Sequence, residues 1–417
     1  MKEYATENLR TVALAGHMGS GKTTLAEAIL YRCKHIERLG KTSDGNTTSD
    51  YDPEEIARKI SINATVLPVE YRDVKINLLD LPGNRDFVGE IRNCLRVSEA
   101  ACLVVDAGGG VEVGTEMAFE NAQEFGLPVF AFVTKMDKER ASFQAALDQM
   151  NETLGIKAVP VTLPMGEALE FKGVIDLLKM KAIVEDASGK VGSQEIPAPF
   201  KDAADAARAA LIESAAEGDD ELTMKFLDDQ PLSEEEVIRG IRLAMADRRF
   251  VPVLCGAALA TSGVLSLLDF IHDCVPAPSQ LAGFKTGGEN DTTVACNASG
   301  PALAFVFKTN VDDFAGRLSF FKILRGSVAS DSEIQNLTKS KSVRIAHLLS
   351  VRGKKQENLH RMHAGDIGCV SKIEMIETWD TLGDASSPER IAPTPMPPPS
   401  CFRAVAAVSK SDEDKLG

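Results

Sequence analysis

Gly16-His17-Met18-Gly19-Ser20-Gly21-Lys22-Thr23 is the stretch that decides the fold. An apolar run, Val12 to Ala15, precedes it, and a helix-forming run, Thr24 to Leu30, follows it. Glycine, four residues, then Gly-Lys-Thr between a strand and a helix is the phosphate-binding loop pattern. Its glycines let backbone N–H groups curl around phosphate oxygens, and the helix N-terminus adds unpaired donors and a positive dipole end. Lys22 is expected to reach the β- and γ-phosphates, and the Thr23 hydroxyl to hold Mg²⁺. Residues 16 to 24, with Thr24 the last, are therefore the expected phosphate contacts.

Two later segments narrow the nucleotide. The strand-like run Val74 to Leu79 ends in Asp80-Leu81-Pro82-Gly83. A carboxylate at a strand's C-terminal edge suits a Mg²⁺ site, and the Gly83 N–H is free to sense a γ-phosphate. A second apolar run, Val129 to Val133, ends in Thr134-Lys135-Met136-Asp137. A carboxylate there accepts two hydrogen bonds from guanine that adenine cannot offer, and such a mismatch discriminates strongly.

From Leu9 to about Met150 short apolar strands alternate with amphipathic helical runs, which predicts a doubly wound, mostly parallel α/β sheet. The pattern is interrupted over about 155–249 by short strand-like pieces (Ala158–Leu163, Val174–Val184) and acid-rich helical runs, an inserted α+β subdomain. It resumes at Phe250–Cys255, so the first domain is expected to span 1–276. Residues 277–300 read as a linker. Short strands such as Ala302–Lys308, Arg317–Ile323 and Ile367–Ile373 predict an all-β barrel over 301–390. A proline-rich linker, stiff and extended rather than packed, is expected from 391, and Cys401–Val408 reads as the start of a third domain cut short at 417.

Taken together these stretches resemble the elongation factor G family of translational GTPases. The likeness rests on Gly16–Thr24, Arg58–Ile62, Asp80–Gly83, Asp86–Arg92, Asp106–Glu116, Thr134–Asp137, Phe171–Leu177, Val251–Gly256 and Ala364–Ile367. It implies GTP and GDP as ligands with Mg²⁺, hydrolysis of GTP to GDP and phosphate, and action on the ribosome in translocation or a related step. It also implies that Ser61 joins Thr23 and Asp80 at the metal, that Gly256, Ala257 and Ala258 meet the base, and that Met18 and Ile60 flank the attacking water.

Departures from the family's pattern are equally informative. Asn84 stands where the family carries the histidine that places the attacking water; Gly83 and Lys22 are its expected companions in catalysis. An amide can hydrogen-bond water but takes up no proton, so slowed hydrolysis is one expected consequence. Thr134 replaces an asparagine that bridges base and loop, and Ser61 replaces a threonine. A GTP-binding ribosome factor with weak or no hydrolysis, a tetracycline-resistance-type ribosomal protection factor, a release-factor-like GTPase and an unrelated P-loop ATPase are the alternatives; Asp137 argues against the last.

The chain has 417 residues, 44% of them hydrophobic, ample for several cores. No apolar run approaches a membrane span and no signal-peptide core is seen, so a cytoplasmic protein without membrane contact, a monomer, is expected. Its eight cysteines are scattered without a C-x-x-C pair and read as core residues in a reducing compartment. The net charge of −15 concentrates acid between Asp202 and Glu236, while bases cluster at Lys339–Lys341, Arg344 and Arg352–Lys355. The resemblance implies that the basic stretch meets ribosomal RNA and the acidic insert the ribosomal stalk protein. His360 and His363 read as exposed barrel histidines, and Arg58 and Arg85 as surface ion-pair residues.

Overall fold

The computed structural model describes residues 1–185, 191–287, 292–312, 316–399 and 401–415. At its centre lie the strands β1 (Leu9–Ala15), β2 (Thr65–Tyr71), β3 (Val74–Asp80), β4 (Ala100–Asp106), β5 (Val129–Thr134), β6 (Ala158–Pro160) and β11 (Val251–Cys255). They form a seven-stranded sheet in the order β2-β3-β1-β4-β5-β11-β6. Only β2 runs antiparallel to its neighbour. β1 lies between β3 and β4 and is buried along its whole length, Arg10 and Thr11 included. Chain order reverses between β1 and β4, and the glycine loop leaves β1 at that point, where ligands gather in open α/β sheets.

Flanking this sheet within the first half are α1 (Lys22–Arg32), α2 (Pro53–Arg58), α3 (Val88–Arg96), α4 (Val113–Glu124) and α5 (Phe143–Leu154). The start of α2 is fixed locally, with Pro53 in its first turn and Asp52 and Glu55 forming a reciprocal capping box.

The insert is built on β7 (Thr162–Pro164), β8 (Gly173–Asp176), β9 (Lys181–Glu185) and β10 (Val191–Gln194), an antiparallel sheet in the order β10-β9-β8-β7. Helices α6 (Ala198–Ala216), α7 (Asp220–Leu227) and α8 (Glu234–Ala246) complete it, and α9 (Val264–Cys274) returns the chain to the first domain. Two differences from the sequence reading stand out. Ala158–Pro160 lies inside the expected insert yet pairs with Val251–Val253 as the seventh strand of the main sheet. Val174–Val184 is a hairpin, not one strand, because the chain turns at Leu177–Met180, where Met180 adopts a left-handed conformation.

The expected linker carries a small hairpin, β12 (Phe284–Lys285) and β13 (Thr293–Val294); residues 288–291 of that stretch lie outside the described residues. The second domain contains β14 (Leu303–Asp312), β15 (Gly316–Arg325), β16 (Ser327–Ala329), β17 (Ser332–Asn336) and β18 (Lys341–Ile345). It continues with β19 (Leu348–Arg352), β20 (Lys355–Leu359), β21 (Arg361–His363), β22 (Ile367–Ser371) and β23 (Thr381–Gly383). Eight of these form one antiparallel sheet, β18-β17-β23-β14-β15-β22-β19-β20, curled over an apolar core that includes Val306, Phe321, Ile345 and Leu382. It is an open half-barrel.

The half-barrel is locked onto the first domain by buried charge pairs. Lys322 Nζ lies 2.6 Å from Glu99 Oε1, and Lys75 Nζ lies 2.7 Å from Asp366 Oδ1. In the proline-rich stretch Thr394 is buried and the Pro395 carbonyl accepts from Arg92 of α3 at 2.6 Å, whereas all five prolines from Pro393 to Pro399 are exposed. Arg96 of α3 adds a second contact, its Nη1 donating to the Thr394 hydroxyl at 3.5 Å. Cys401–Val408 is extended and largely exposed, with Phe402 79% and Val405 75% accessible.

Candidate functional site

Where β1 ends, the loop turns on three glycines with positive φ: Gly16 (140°), Gly19 (79°) and Gly21 (104°). Gly21 sits directly before α1, so that helix's first N–H groups face the loop. Gly83 closes the loop from the other side. A Cβ there would come within 2.5 Å of the Met18 amide nitrogen and 2.6 Å of Lys22 Nζ, so no side chain fits. Between them lies a cavity of about 260 Å³ lined by Met18, Gly19, Gly21, Lys22, Thr23, Thr24, Thr42, Asp50, Lys59, Ile60, Ser61, Gly83 and Lys135. Several sequence-predicted residues, distant in the chain, are thus brought to one place.

Lys22 is buried, and its ammonium donates to the Gly16 and His17 carbonyls at 3.0 and 2.7 Å. Burial lowers its pKa to about 8; Asp80 and Asp50 work against that shift and Lys135 adds to it. An anion in the cavity would restore the ordinary value, which is what a phosphate-binding lysine requires. Thr23 Oγ1 and Ser61 Oγ stand 3.2 Å apart. Beside them Asp80, fully buried at the end of β3, accepts from the Ser49 hydroxyl at 2.7 Å. Its second oxygen has no partner, and neither does Asp50 Oδ1. Burial raises the pKa of both carboxyls, and the facing Asp80 raises that of Asp50 further.

Two carboxylates with orphaned buried oxygens, flanked by two hydroxyls, form a set of hard oxygen donors that fits Mg²⁺. Thr23 and Ser61 would hold the ion directly, with Asp80 and Asp50 balancing its charge. No group of three or more His, Cys, Asp or Glu side chains suited to a metal occurs among the described residues, so the site offers hydroxyls and two carboxylates only. His363 instead lies 3.4 Å from Glu3 at the surface.

On the base side, Lys135 Nζ donates to the Gly19 carbonyl at 2.8 Å and to Asp106 at 2.6 Å, joining β4, β5 and the loop. Asp137 remains half-exposed beside Lys138. The Gly256 N–H is engaged by the Val133 carbonyl and the Ala257 N–H by the Ser262 carbonyl. Only the Ala258 N–H of the three is left without an internal acceptor among the described residues. Thr134 Oγ1 and Ser20 Oγ are both buried and unpaired.

Asn84 does not line the cavity. Its side-chain oxygen caps the turn at Arg85–Phe87 by accepting the Asp86 N–H at 3.1 Å. His17 is directed toward α4, its Nδ1 accepting the Gly114 N–H at 3.2 Å. Arg58 pairs with Glu54 at the surface, and Arg85 is exposed.

Three residues escaped the sequence reading. Asp50 sits in Thr47-Thr48-Ser49-Asp50-Tyr51-Asp52, a stretch that reads as a polar loop, so its burial left no signal. Glu55 is buried and accepts the Ile62 and Asn63 N–H groups, both at 2.9 Å. Glu27 accepts the Gly40 and Thr48 N–H groups. These glutamates fix the backbone that delivers Asp50 and Ser61, and only the capping-box spacing of Asp52 and Glu55 hinted at one of them.

Residues 7–277 match the Elongation factor Tu GTP binding domain family, and residues 301–385 match Elongation factor G domain 2. The chain belongs to the elongation factor G family of translational GTPases. It is 35% identical over 415 residues to the elongation factors G of Thermotoga petrophila and Thermotoga maritima, covering 98% of this chain. It spans about 60% of the length of these curated relatives. A solved crystal structure of a Thermus thermophilus protein matches 99% of the chain and 60% of its own, with a TM-score of 0.87 and 32% identity. GTP and GDP are therefore the ligands its first domain is built for. No helix among the described residues is long and apolar enough to cross a membrane.

Proposed function

We propose that this elongation factor G-type chain binds GTP·Mg²⁺ at the 16–24 loop and hydrolyses it to GDP and phosphate on the ribosome, in translocation or a related step. The observation that carries the reading is the cavity itself, where a buried lysine, two hydroxyls and the under-partnered Asp50, with Asp80 buried beside them, meet a loop that turns on glycines. Gly16 to Thr24 cradle the phosphates; Thr23 and Ser61 would hold the Mg²⁺, with Asp80 balancing its charge, and the ion would screen phosphate charge. Gly83 senses the γ-phosphate, and Thr134, Lys135, Asp137 and the 256–258 turn meet the guanine. The protein works in the cytoplasm as a monomer without membrane contact, with ribosomal RNA and ribosomal proteins as partners.

The basic stretch makes a narrower RNA surface than its charge suggests. Arg352 is turned inward to the Pro68 carbonyl and Lys339 pairs with Glu377, leaving Lys341, Arg344, Lys354 and Lys355 as exposed bases.

A second reading, GTP binding with weak hydrolysis, is favoured by Asn84, whose oxygen is engaged as a cap. Single-turnover GTP hydrolysis with and without ribosomes tests both. Strong ribosomal stimulation supports the first reading; tight GTP binding without stimulation supports the second, and no guanine-nucleotide binding defeats both.

A further inference from the structure

Ser61 faces Thr23, and the backbone after it is held. Three consecutive amides are gripped by carboxylates: Ile62 and Asn63 by Glu55, and Ala64 by Glu90, whose Oε2 accepts the Ala64 N–H at 2.9 Å. Glu55 belongs to the same segment as Ser61. Glu90 does not; it stands on α3, and the same oxygen forms an ion pair with Lys308 of the half-barrel.

Lys308 reaches Glu90 because its strand is irregular. In β14, Phe305 and Phe307 pack in the cluster that includes Ile91 and Leu95 of α3, whereas Ala304 and Val306 belong to the half-barrel core. Strict alternation would send residue 308 to the core with Val306. Instead the pairing with β15 shifts between Val306 and Lys308, leaving Phe307 as the extra residue. This bulge re-aims the next side chain, a recurrent use of bulges. Lys308 consequently turns to α3 and is buried there, its side chain only 5% exposed. The register is held nearby by Trp379, whose Nε1 donates to Asn93 of α3 at 2.8 Å.

The half-barrel also touches the segment's other end. A Cβ on Gly353 would come within 2.3 Å of the Thr48 carbonyl oxygen, and Lys354 Nζ lies 5.7 Å from the Tyr51 ring centre. The two residues flanking Asp50 at short range and the amide three residues beyond Ser61 are thus all within reach of one domain.

We propose that Lys308 is a positioning residue of the nucleotide site: through Glu90 it fixes the Ala64 amide and thereby the seat of Ser61 opposite Thr23. The half-barrel so helps select the triphosphate state, because Ser61 matters where Mg²⁺ is held against a γ-phosphate and much less for GDP. This rests on the GTP·Mg²⁺ reading given above.

The test uses the whole chain and two probes, GDP and a non-hydrolysable GTP analogue with Mg²⁺. Lys308→Met is expected to weaken the analogue about tenfold, the value of one lost charge-assisted hydrogen bond, while GDP affinity stays within about twofold. Lys308→Arg restores the analogue's affinity. Equal loss for both nucleotides, or loss for neither, overturns the proposal. If Lys308→Met fails to fold in a thermal melt, Glu90→Gln is expected to give the same split, since it keeps an oxygen for the Ala64 amide and drops the charge. Amide hydrogen exchange over 61–65 in the nucleotide-free protein separates this idea from the one it rests on. Faster exchange in Lys308→Met supports the positioning role even if nucleotide binding proves weak, and unchanged exchange overturns it even if GTP binds tightly.

Discussion

Two sets of buried carboxylates in this molecule are treated in opposite ways. At the domain junction Glu99 accepts from Lys322 Nζ and from the Thr11 amide, and Asp366 accepts from Lys75 Nζ, the Asn77 side-chain amide and the Ile367 backbone amide. At the glycine loop Asp80 and Asp50 each keep an oxygen without a partner, and the nearest lysine, Lys22, turns to carbonyls instead. Burial pushes the pKa up in Glu99 as in Asp80, opposed at Glu99 chiefly by Lys322 and at Asp80 by Ser49, Thr23 and Lys22. In the first arrangement every carboxylate oxygen has a partner, although Asn77 Oδ1 beside them has none. The second is complete only with a cation and an anion added, and this contrast separates a joint from a binding site.

The largest expected effect tests the joint. Lys322→Met leaves Glu99 buried and uncompensated, which should cost about 3–5 kcal/mol of stability. Urea unfolding reads this directly, and Lys322→Met with Glu99→Met together should recover most of it. A single-variant loss under about 1 kcal/mol would mean that water reaches Glu99 and that the joint is looser than its geometry.

Next in size is the hydrolysis step. Asn84 belongs with the completed groups, its oxygen already occupied by the Asp86 amide. Asn84→His places a ring that can accept from water at the same turn, and single-turnover hydrolysis should rise by about 10²-fold, the scale of correct positioning. An unchanged rate with unchanged GTP affinity would show that another group places the water.

Neutralising an open carboxylate should do the reverse of neutralising a closed one. Asp50→Asn removes one of two facing buried charges and should stabilise the nucleotide-free protein by roughly 1–2 kcal/mol while reducing the extra stability that GTP with Mg²⁺ confers. The sign follows from the raised folded-state pKa. Stability is fully present in acid and is lost as pH rises from the ordinary carboxylate range toward neutrality, so the gain from Asp50→Asn should appear at about pH 7 and vanish near about pH 4. Melting curves at the two pH values decide this; destabilisation at both would place Asp50 among the joint residues.

The sequence made the glycine loop, Asp80 and the alternating sheet readable because each depends on local rules: glycine φ angles, strand burial, a carboxylate at a strand end. It hid Glu90 because its role depends on a backbone amide 26 residues away, and an amide has no letter; Asp50 was hidden because nothing in its polar loop signals burial, and for Glu55 only the capping-box spacing gave a hint. The seventh strand is hard to place for a related reason. Ala158–Pro160 is too short to show a period, and its strand identity comes from Val251–Val253. Lys308 was invisible in a different way, since a one-residue bulge changes the face of every later side chain without altering composition.

Thr134 is the smallest case and the one that does not fit either class. Its hydroxyl and that of Ser20 are buried and unpaired, yet neither has the charge to call in a ligand. A Cβ on Gly21 would lie 3.3 Å from Thr134 Cγ2, so the side chain already fills the space against the loop and simply falls short of a donor. Thr134→Asn extends a polar amide across that gap, and pairing one buried hydroxyl should add about 1 kcal/mol, or about fivefold in GDP affinity. Fluorescence titration of GDP with both proteins measures it. A gain confined to nucleotide binding would mean that the orphan is a shortened contact to the loop. An equal gain in the stability of the nucleotide-free protein would mean that the gap is a packing fault, and Thr134 would then stand apart from the open carboxylates Asp50 and Asp80.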